Sequence, residues 1–361
     1  KVRTIPFERS QVESADVLCH DENTGGILYA DLAFEIDPRD LNQELQRKDD
    51  VPLLSLYSRL LFESGSTSKS DEVQLSRRIG ANTGGISASV KIQHQDNDGV
   101  VFRSPDGADE MRAYLLIRGK AVRDRVEDMW DIVGEVLNDV KLEDKRERVL
   151  EILHESRAGM ESTLTSSGHS IGATHLNSQR TVSGAFADLG GGLRFLDTLP
   201  KLIDRVENDW DSVLQDLQRI HRSVVRSNAM TVSLTSESCD LETGRQGLAR
   251  LVRSLPSYSN NDDKNMSTAE AWRSALPLNP RGRNLGIIVP TQVNYVSLMG
   301  PAYKSGDFVP GSSLVASRLL SRGFLWDHVR VMGGAYVFYL LSPLTLSLHL
   351  VSPTRVTHSS T

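Results

Sequence analysis

Gly25-Gly26-Ile27-Leu28-Tyr29-Ala30-Asp31-Leu32-Ala33-Phe34 is a glycine turn that runs into strand-forming residues, and it reads as a β-strand. Downstream, residues 51–62 carry Leu53, Leu54, Tyr57, Leu60 and Leu61 at helical spacing and stop at Gly65. A second helix opens at Ser70-Asp71-Glu72 and runs through Ile79. After Gly84-Gly85, residues 86–93 alternate apolar and polar side chains as a half-buried strand, and residues 111–117 have strand composition. Val126, Met129, Trp130, Val133, Leu137 and Val140 form the stripe of an amphipathic helix. A long helix is expected over residues 144–165, and another is marked by Trp210, Val213, Leu214, Leu217 and His221. A short strand at 229–235 and a helix at 243–255 close the region. This mixed order predicts an α+β fold with helices on one face of a mixed, mainly antiparallel sheet.

Residues 257–284 change character. Ser-Asn-Asn-Asp-Asp-Lys-Asn is a polar run, Pro277, Pro280 and Gly282 follow, and only residues 269–274 have helical composition. The stretch reads as a linker between a domain at 1–256 and a second at 285–361. The second opens with an apolar strand at Leu285-Gly286-Ile287-Ile288-Val289 and has a helix over 312–322. Residues 337–351 are the one long apolar run. It is interrupted by Pro343, contains His349, and falls short of the roughly 20 residues that a spanning helix requires, so no membrane span is expected.

The 361 residues, 39% of them apolar and 24% charged, have room for two or three globular domains. A net charge of −6 offers no basic face for nucleic acid. Two cysteines, Cys19 and Cys239, exclude a disulfide framework and a cysteine-rich metal site. The start, Lys1-Val2-Arg3-Thr4-Ile5-Pro6, has no apolar signal core and no initiator Met, and reads as the beginning of a fragment.

Nine histidines invite a search for metal ligands. Neither H-E-x-x-H nor H-x-x-E-H occurs, and His154-Glu155 lacks a second imidazole one turn on. His169 and His175 stand six apart, on different faces of a helix. No P-loop, dinucleotide fingerprint or nucleophile elbow is present, and Gly190-Gly191-Gly192 has no preceding strand. From the residues alone, no independent catalytic site is expected.

Six strings narrow the reading: Thr24-Gly25-Gly26-Ile27-Leu28-Tyr29, Ile79-Gly80-Ala81-Asn82-Thr83-Gly84-Gly85-Ile86, Arg118-Gly119-Lys120-Ala121, Ser167-Gly168-His169, Val289-Pro290-Thr291-Gln292-Val293-Asn294-Tyr295, and Leu325-Trp326-Asp327-His328-Val329-Arg330-Val331-Met332-Gly333-Gly334-Ala335-Tyr336. In content and order they resemble the third and fourth homologous domains of the presequence protease and falcilysin branch of the pitrilysin/insulinase zinc metallopeptidases. The resemblance runs over about residues 5–336 and ends there. It implies a third-type domain at 1–256 and an incomplete fourth-type domain with an unmatched tail from 337 and an exposed apolar sheet edge.

Such enzymes consist of two halves around a chamber. The first half carries H-x-x-E-H and a distal glutamate that hold zinc and activate water. The resemblance therefore implies that this chain is the C-terminal, zinc-free half, inactive alone, whose partners are the N-terminal catalytic half and unstructured peptides. Aligning Leu-Phe-Glu-Ser-Gly-Ser with the family's segment puts Leu56 and Leu60 where ligand histidines stand and Arg59 where the water-activating glutamate stands. Arg330 and Tyr336 match the substrate-contacting arginine and tyrosine, whose guanidinium and phenol donors suit a developing oxyanion. Asn294, Tyr295 and His169 are weaker candidates for the chamber wall. The implied location is an organelle, first the mitochondrial matrix, with plastid or parasite vacuole as alternatives. A zinc-free structural subunit, comparable to core proteins of the respiratory bc1 complex, is the alternative function.

Overall fold

The computed structural model describes residues 5–41, 50–94, 111–257, 268–276, 278, 285–301, 310–335, 337–341 and 345–353. In chain order the elements are β1 (Glu8–Val12), β2 (Ala15–Asp21), β3 (Ile27–Ile36), α1 (Pro38–Leu41), α2 (Asp50–Phe62), α3 (Glu72–Asn82), β4 (Ile86–His94), β5 (Met111–Val122) and α4 (Val126–Asp139). There follow α5 (Arg146–Ser178), α6 (Val182–Gly191), α7 (Leu193–Asn208), α8 (Trp210–Val224), β6 (Met230–Ser236), α9 (Ser238–Ser254) and α10 (Thr268–Ala275). The last are β7 (Val293–Pro301), α11 (Ser312–Arg322), a π-helical segment (Trp326–Met332), β8 (Val337–Leu341) and β9 (Thr345–Pro353). The chain divides into two compact units, each built from separate stretches. The first comprises Lys1–Gln93, Arg112–Ile152 and Leu202–Ala271, and the second His94–Met111, Leu153–Lys201 and Trp272–Thr361.

The first unit is organised by a sheet of strand order β1-β2-β6-β3-β5-β4. Strand β3 pairs antiparallel with β5 from Ile27↔Val122 to Ile36↔Ala113, and antiparallel with β6 on its other side. Strands β1 and β2 are also antiparallel, whereas β2 and β6 run parallel, so the sheet is mixed and mainly antiparallel, as the sequence predicts. Alternation along β3 puts Leu28, Ala30, Leu32, Phe34 and Ile36 on one face, each no more than 1% exposed. Gly244 of α9 lies over Leu28 and Leu234, and Gly119 of β5 meets Met129 of α4, so both helices cover this face. The opposite face carries the cross-strand ion pairs Asp31–Arg118 and Glu35–Arg112, each 3.5 Å. Pairs of this exposed kind contribute no more than about 1 kcal/mol, leaving the buried face to hold the unit together.

The glycine turn before β3 has a specific task. Gly25 and Gly26 have φ of +68° and +79°, a conformation glycine adopts without steric cost. This turn points the amides of Thr24, Gly25 and Gly26 at the Glu237 carboxylate, with distances of 3.1, 2.9 and 3.2 Å, and ties the start of β3 to the start of α9. Helix α3 begins with a capping box in which Asp71 accepts from the Gln74 amide and Gln74 accepts from the Asp71 amide.

Helix α2 supplies Leu53, Leu54, Tyr57, Leu60 and Leu61 to the core, and Tyr57 is fully buried. Its phenol lies 2.7 Å from Nδ1 of His221 on α8. Burial pushes the His221 imidazolium down to about 4, and nearby Arg222 adds to this against an opposing hydrogen bond with the Leu137 backbone. Burial also raises the Tyr57 phenol above its ordinary range. The ring is therefore neutral at physiological pH, and Nδ1 accepts from the phenol O–H.

The second unit contains the sheet β7-β9-β8, both pairings antiparallel. Within the apolar run at 337–351, residues 337–341 pair antiparallel with residues 347–351. Between α6 and α7 the carboxylate of Asp188 is fully buried and bonded to His175 Nδ1 (3.1 Å), Arg194 Nε (3.0 Å) and the amide of Leu193 (2.8 Å). Burial alone would raise this carboxyl; the bonds from His175 and Arg194 hold it below the usual range. The Gly190-Gly191-Gly192 stretch therefore leads into a helix start already occupied by the chain's own anion.

One sequence expectation changes here. Residues 285–289 do not form the strand read from their composition. Leu285, Ile287 and Ile288 stand in solvent, Ile288 entirely, and Pro290, without an N–H, precedes the true strand β7. Within the stretch read as a linker, α10 falls at the residues of helical composition, 269–274, and its Trp272 is fully buried edge-on against Phe186 at 5.4 Å. One aromatic anchors a segment that its polar surroundings disguise.

The His221 site makes stability depend on acid. The folded value of about 4 lies below the ordinary 6.5, so the unfolded chain binds the extra proton first and folding weakens as pH falls between them. Moving from pH 7 to pH 5 should cost about 2 kcal/mol through this residue alone. In urea unfolding of the wild type and His221→Gln at both pH values, the wild type should lose more stability by that amount. Equal losses would contradict the assignment.

Candidate functional site

The sequence-derived candidates fall at three places, the first being α2. Leu56 and Leu60 are one turn apart and both buried, 4% and 0% exposed. Arg59 points out of the core and forks onto Glu63, with Nη2–Oε1 at 2.7 Å and Nε–Oε2 at 3.0 Å. The bond from Arg59 holds the Glu63 carboxyl below its ordinary range. Leucine offers no lone pair and arginine is a permanent cation, so these three residues do not fit zinc. Among the described residues no group of three His, Cys, Asp or Glu is placed to hold a metal ion.

The second place is where α5 meets β7. Helix α5 departs from helical winding at Ser167, with φ −144° and ψ 38°. Directly after the break, Gly168 and Gly172 face Tyr295 and Ser297 of β7. Four residues of helix rise about 6 Å, and two residues of strand advance about 6.7 Å, so the two repeats stay in step. A Cβ at Gly168 would lie 2.5 Å from Tyr295 Cδ2, and one at Gly172 would lie 2.5 Å from Ser297 Oγ. Only glycine permits this approach.

The Tyr295 phenol donates to the carbonyl of Thr165 at 2.7 Å, and its ring stands 6.0 Å from that of His169. Burial lowers the His169 imidazolium from its ordinary range. His169 and Tyr295 are therefore brought together in a helix–strand seam. Asn294 is not with them: alternation along β7 sets it on the opposite, exposed face with Val296 and Leu298.

The third place is the π-helical segment. Arg330 Nη1 donates to the Ala335 carbonyl at 3.1 Å, and its guanidinium carbon lies 5.4 Å from the centroid of the Trp326 ring. The backbone closes behind it: Gly334 N–H donates to the Arg330 carbonyl (3.2 Å), and Ala335 N–H to that of Val329 (3.1 Å). This turn orients the guanidinium by a backbone bond on one side and an aromatic face on the other. Tyr336, its expected companion, lies outside the described residues.

Several known proteins are similar to this chain. Residues 1–202 match the family model for the region associated with peptidase family M16, subfamily C, and residues 284–342 match that described as PreP C-terminal domain. Presequence protease 1, chloroplastic/mitochondrial, of Arabidopsis thaliana is 33% identical over 332 residues, which cover 92% of this chain and 28% of that protein. The mitochondrial presequence protease of Debaryomyces hansenii is 25% identical, with 92% and 31% covered. The chain thus spans less than a third of the length of these relatives. Among solved structures, a conserved protein from Enterococcus faecalis V583 superposes with a TM-score of 0.59 at 13% identity, over 96% of this chain and 75% of that one. The peptidase M16 inactive domain from Pseudomonas fluorescens gives 0.55 at 15% identity, over 96% and 74%. At such identities the likeness is one of fold, and it agrees with the α+β architecture.

The seam makes a prediction whose sign is informative. Alanine normally stabilises a helix interior over glycine by up to about 1 kcal/mol. Gly159→Ala, at an open position of α5, should follow that rule. Gly168→Ala should instead destabilise by about 1–3 kcal/mol, because the methyl group collides with Tyr295. Thermal unfolding of the two variants should shift in opposite directions; a gain at both positions would contradict the seam.

Proposed function

The chain belongs to the family of regions associated with subfamily C of the M16 peptidases, and from that membership we propose that it is the non-catalytic C-terminal half of an organellar oligopeptidase that degrades cleaved targeting peptides. The carrying observation is the placement of the match: nearly the whole chain aligns with less than a third of a presequence protease, and its later residues with the PreP C-terminal domain. In this reading zinc belongs to the half outside this chain. Helix α2 keeps the packing of a zinc helix but fills the ligand positions with Leu56 and Leu60 and the base position with Arg59.

The contribution of this half is to hold the peptide and form the chamber wall. Arg330, oriented by the Ala335 carbonyl and the Trp326 ring, would hydrogen-bond the scissile carbonyl and stabilise the charge that develops on it, with Tyr336 as the second donor. The net charge of −6 suits such peptides, since mitochondrial targeting segments are rich in arginine and poor in acids. In the same reading the two homologous domains are 1–256 and 285–361, and the location is an organelle, the mitochondrial matrix in the first place.

The test is reconstitution. The purified chain should not cleave a presequence peptide, whereas mixing it with the separately produced N-terminal portion of the Arabidopsis relative should yield cleavage. In the mixture, Arg330→Ala should lower kcat/KM by roughly 100-fold with an unchanged melting temperature. Robust cleavage by the chain alone would contradict the proposal.

A further inference from the structure

The segment from Ser312 to Met332 exposes a run of large apolar side chains. Val315, Leu319, Leu320, Phe324, Trp326, Val331 and Met332 are 43–73% exposed within this one stretch of chain. At about 100 Å² of apolar surface per such side chain, the seven expose on the order of 700 Å². The largest apolar patch of a typical monomer is about 300–600 Å², and a stable interface takes about 800 Å² from each partner. The first unit offers no stretch of that length among its described residues; its exposed Ile5 and Phe7 stand together at its start, and Tyr29, Val73 and Val122 are scattered.

The charges of this segment are mainly positive: Arg318, Arg322 and Arg330 against Asp327. Arg318 and Arg322 stand one helical turn apart on α11, both exposed, and neither makes an ion pair among the described residues. Asp327 is the one acidic residue of the segment. A second copy docking about a two-fold axis would bring the same arginines toward one another. The complementary surface is apolar with carboxylates at its rim. The relatives are more than three times as long as the portion this chain represents, so most of such a protein lies outside it.

We infer that Ser312–Met332 is a docking face for an apolar, acid-rimmed surface on the remainder of the longer protein. This rests on the half-enzyme reading and adds to it the place of attachment. The seven-residue π-helical winding of Trp326–Met332 serves the face by turning Trp326, Val331 and Met332 outward while Arg330 is held by the Ala335 carbonyl.

The experiment measures binding of the N-terminal portion of the Arabidopsis relative to the full chain by surface plasmon resonance. The paired change Val315→Glu with Leu319→Glu should weaken binding at least tenfold. The pair Arg318→Glu with Arg322→Glu, which leaves the apolar surface intact, should do the same. Val73→Glu in the first unit should bind like the wild type, and circular dichroism should show all variants folded. If the wild type and both paired variants bind alike, the docking face is wrong and the half-enzyme reading stands. If the wild type does not bind, both fail together.

Discussion

The constraint on which the first unit depends is the ten-residue antiparallel register of β3 with β5, held on its other side by β6. Side chains alternate along a strand, so slipping this register by one residue would carry Leu28, Leu32, Phe34 and Ile36 out of the core. The Gly25-Gly26 turn and Glu237 fix where β3 begins, and the helices can only be added to the face that results. Helix α2 belongs to that layer. Its inward positions are specified by packing and by the Tyr57–His221 bond, so the helix needs no metal to keep its place. Leu56 and Leu60 fill that inward face.

Much of this was legible in the chain. Strand β3 is revealed by composition and its glycine turn, α4 and α8 by their stripes, and α11 by a periodic run ending at Gly323 whose bounds, Ser312–Arg322, coincide with the expectation. The sequence marks no element before residue 27, because Glu8–Val12 is a polar edge strand and Ala15–Asp21 ends in His20-Asp21. Residues 285–289 misled for the opposite reason: apolar composition does not make a strand where Pro290 interrupts the donors and no described strand pairs with it. Trp272 shows how a single buried ring overrides the polarity of its surroundings.

The candidate site was partly legible. Burial of Leu56 and Leu60 follows from their spacing, and the Arg330 string was conspicuous in itself. The seam was hidden, because the partners of the Tyr295–Thr165 bond are 130 residues apart and nothing local couples a glycine pair on a helix to alternate residues of a distant strand. Once seen, it sets His169 and Tyr295 at the face of β7 that meets α5 and Asn294 on the other.

The proposal that α2 is the helix of a metallopeptidase without its metal is open to direct measurement. Zinc content of the purified full chain, measured by inductively coupled plasma mass spectrometry after equilibration with zinc and removal of the excess, tests it directly. The account predicts substoichiometric zinc that is unchanged by replacing Leu56 or Leu60. One tightly held zinc per chain, lost on changing α2, would contradict it.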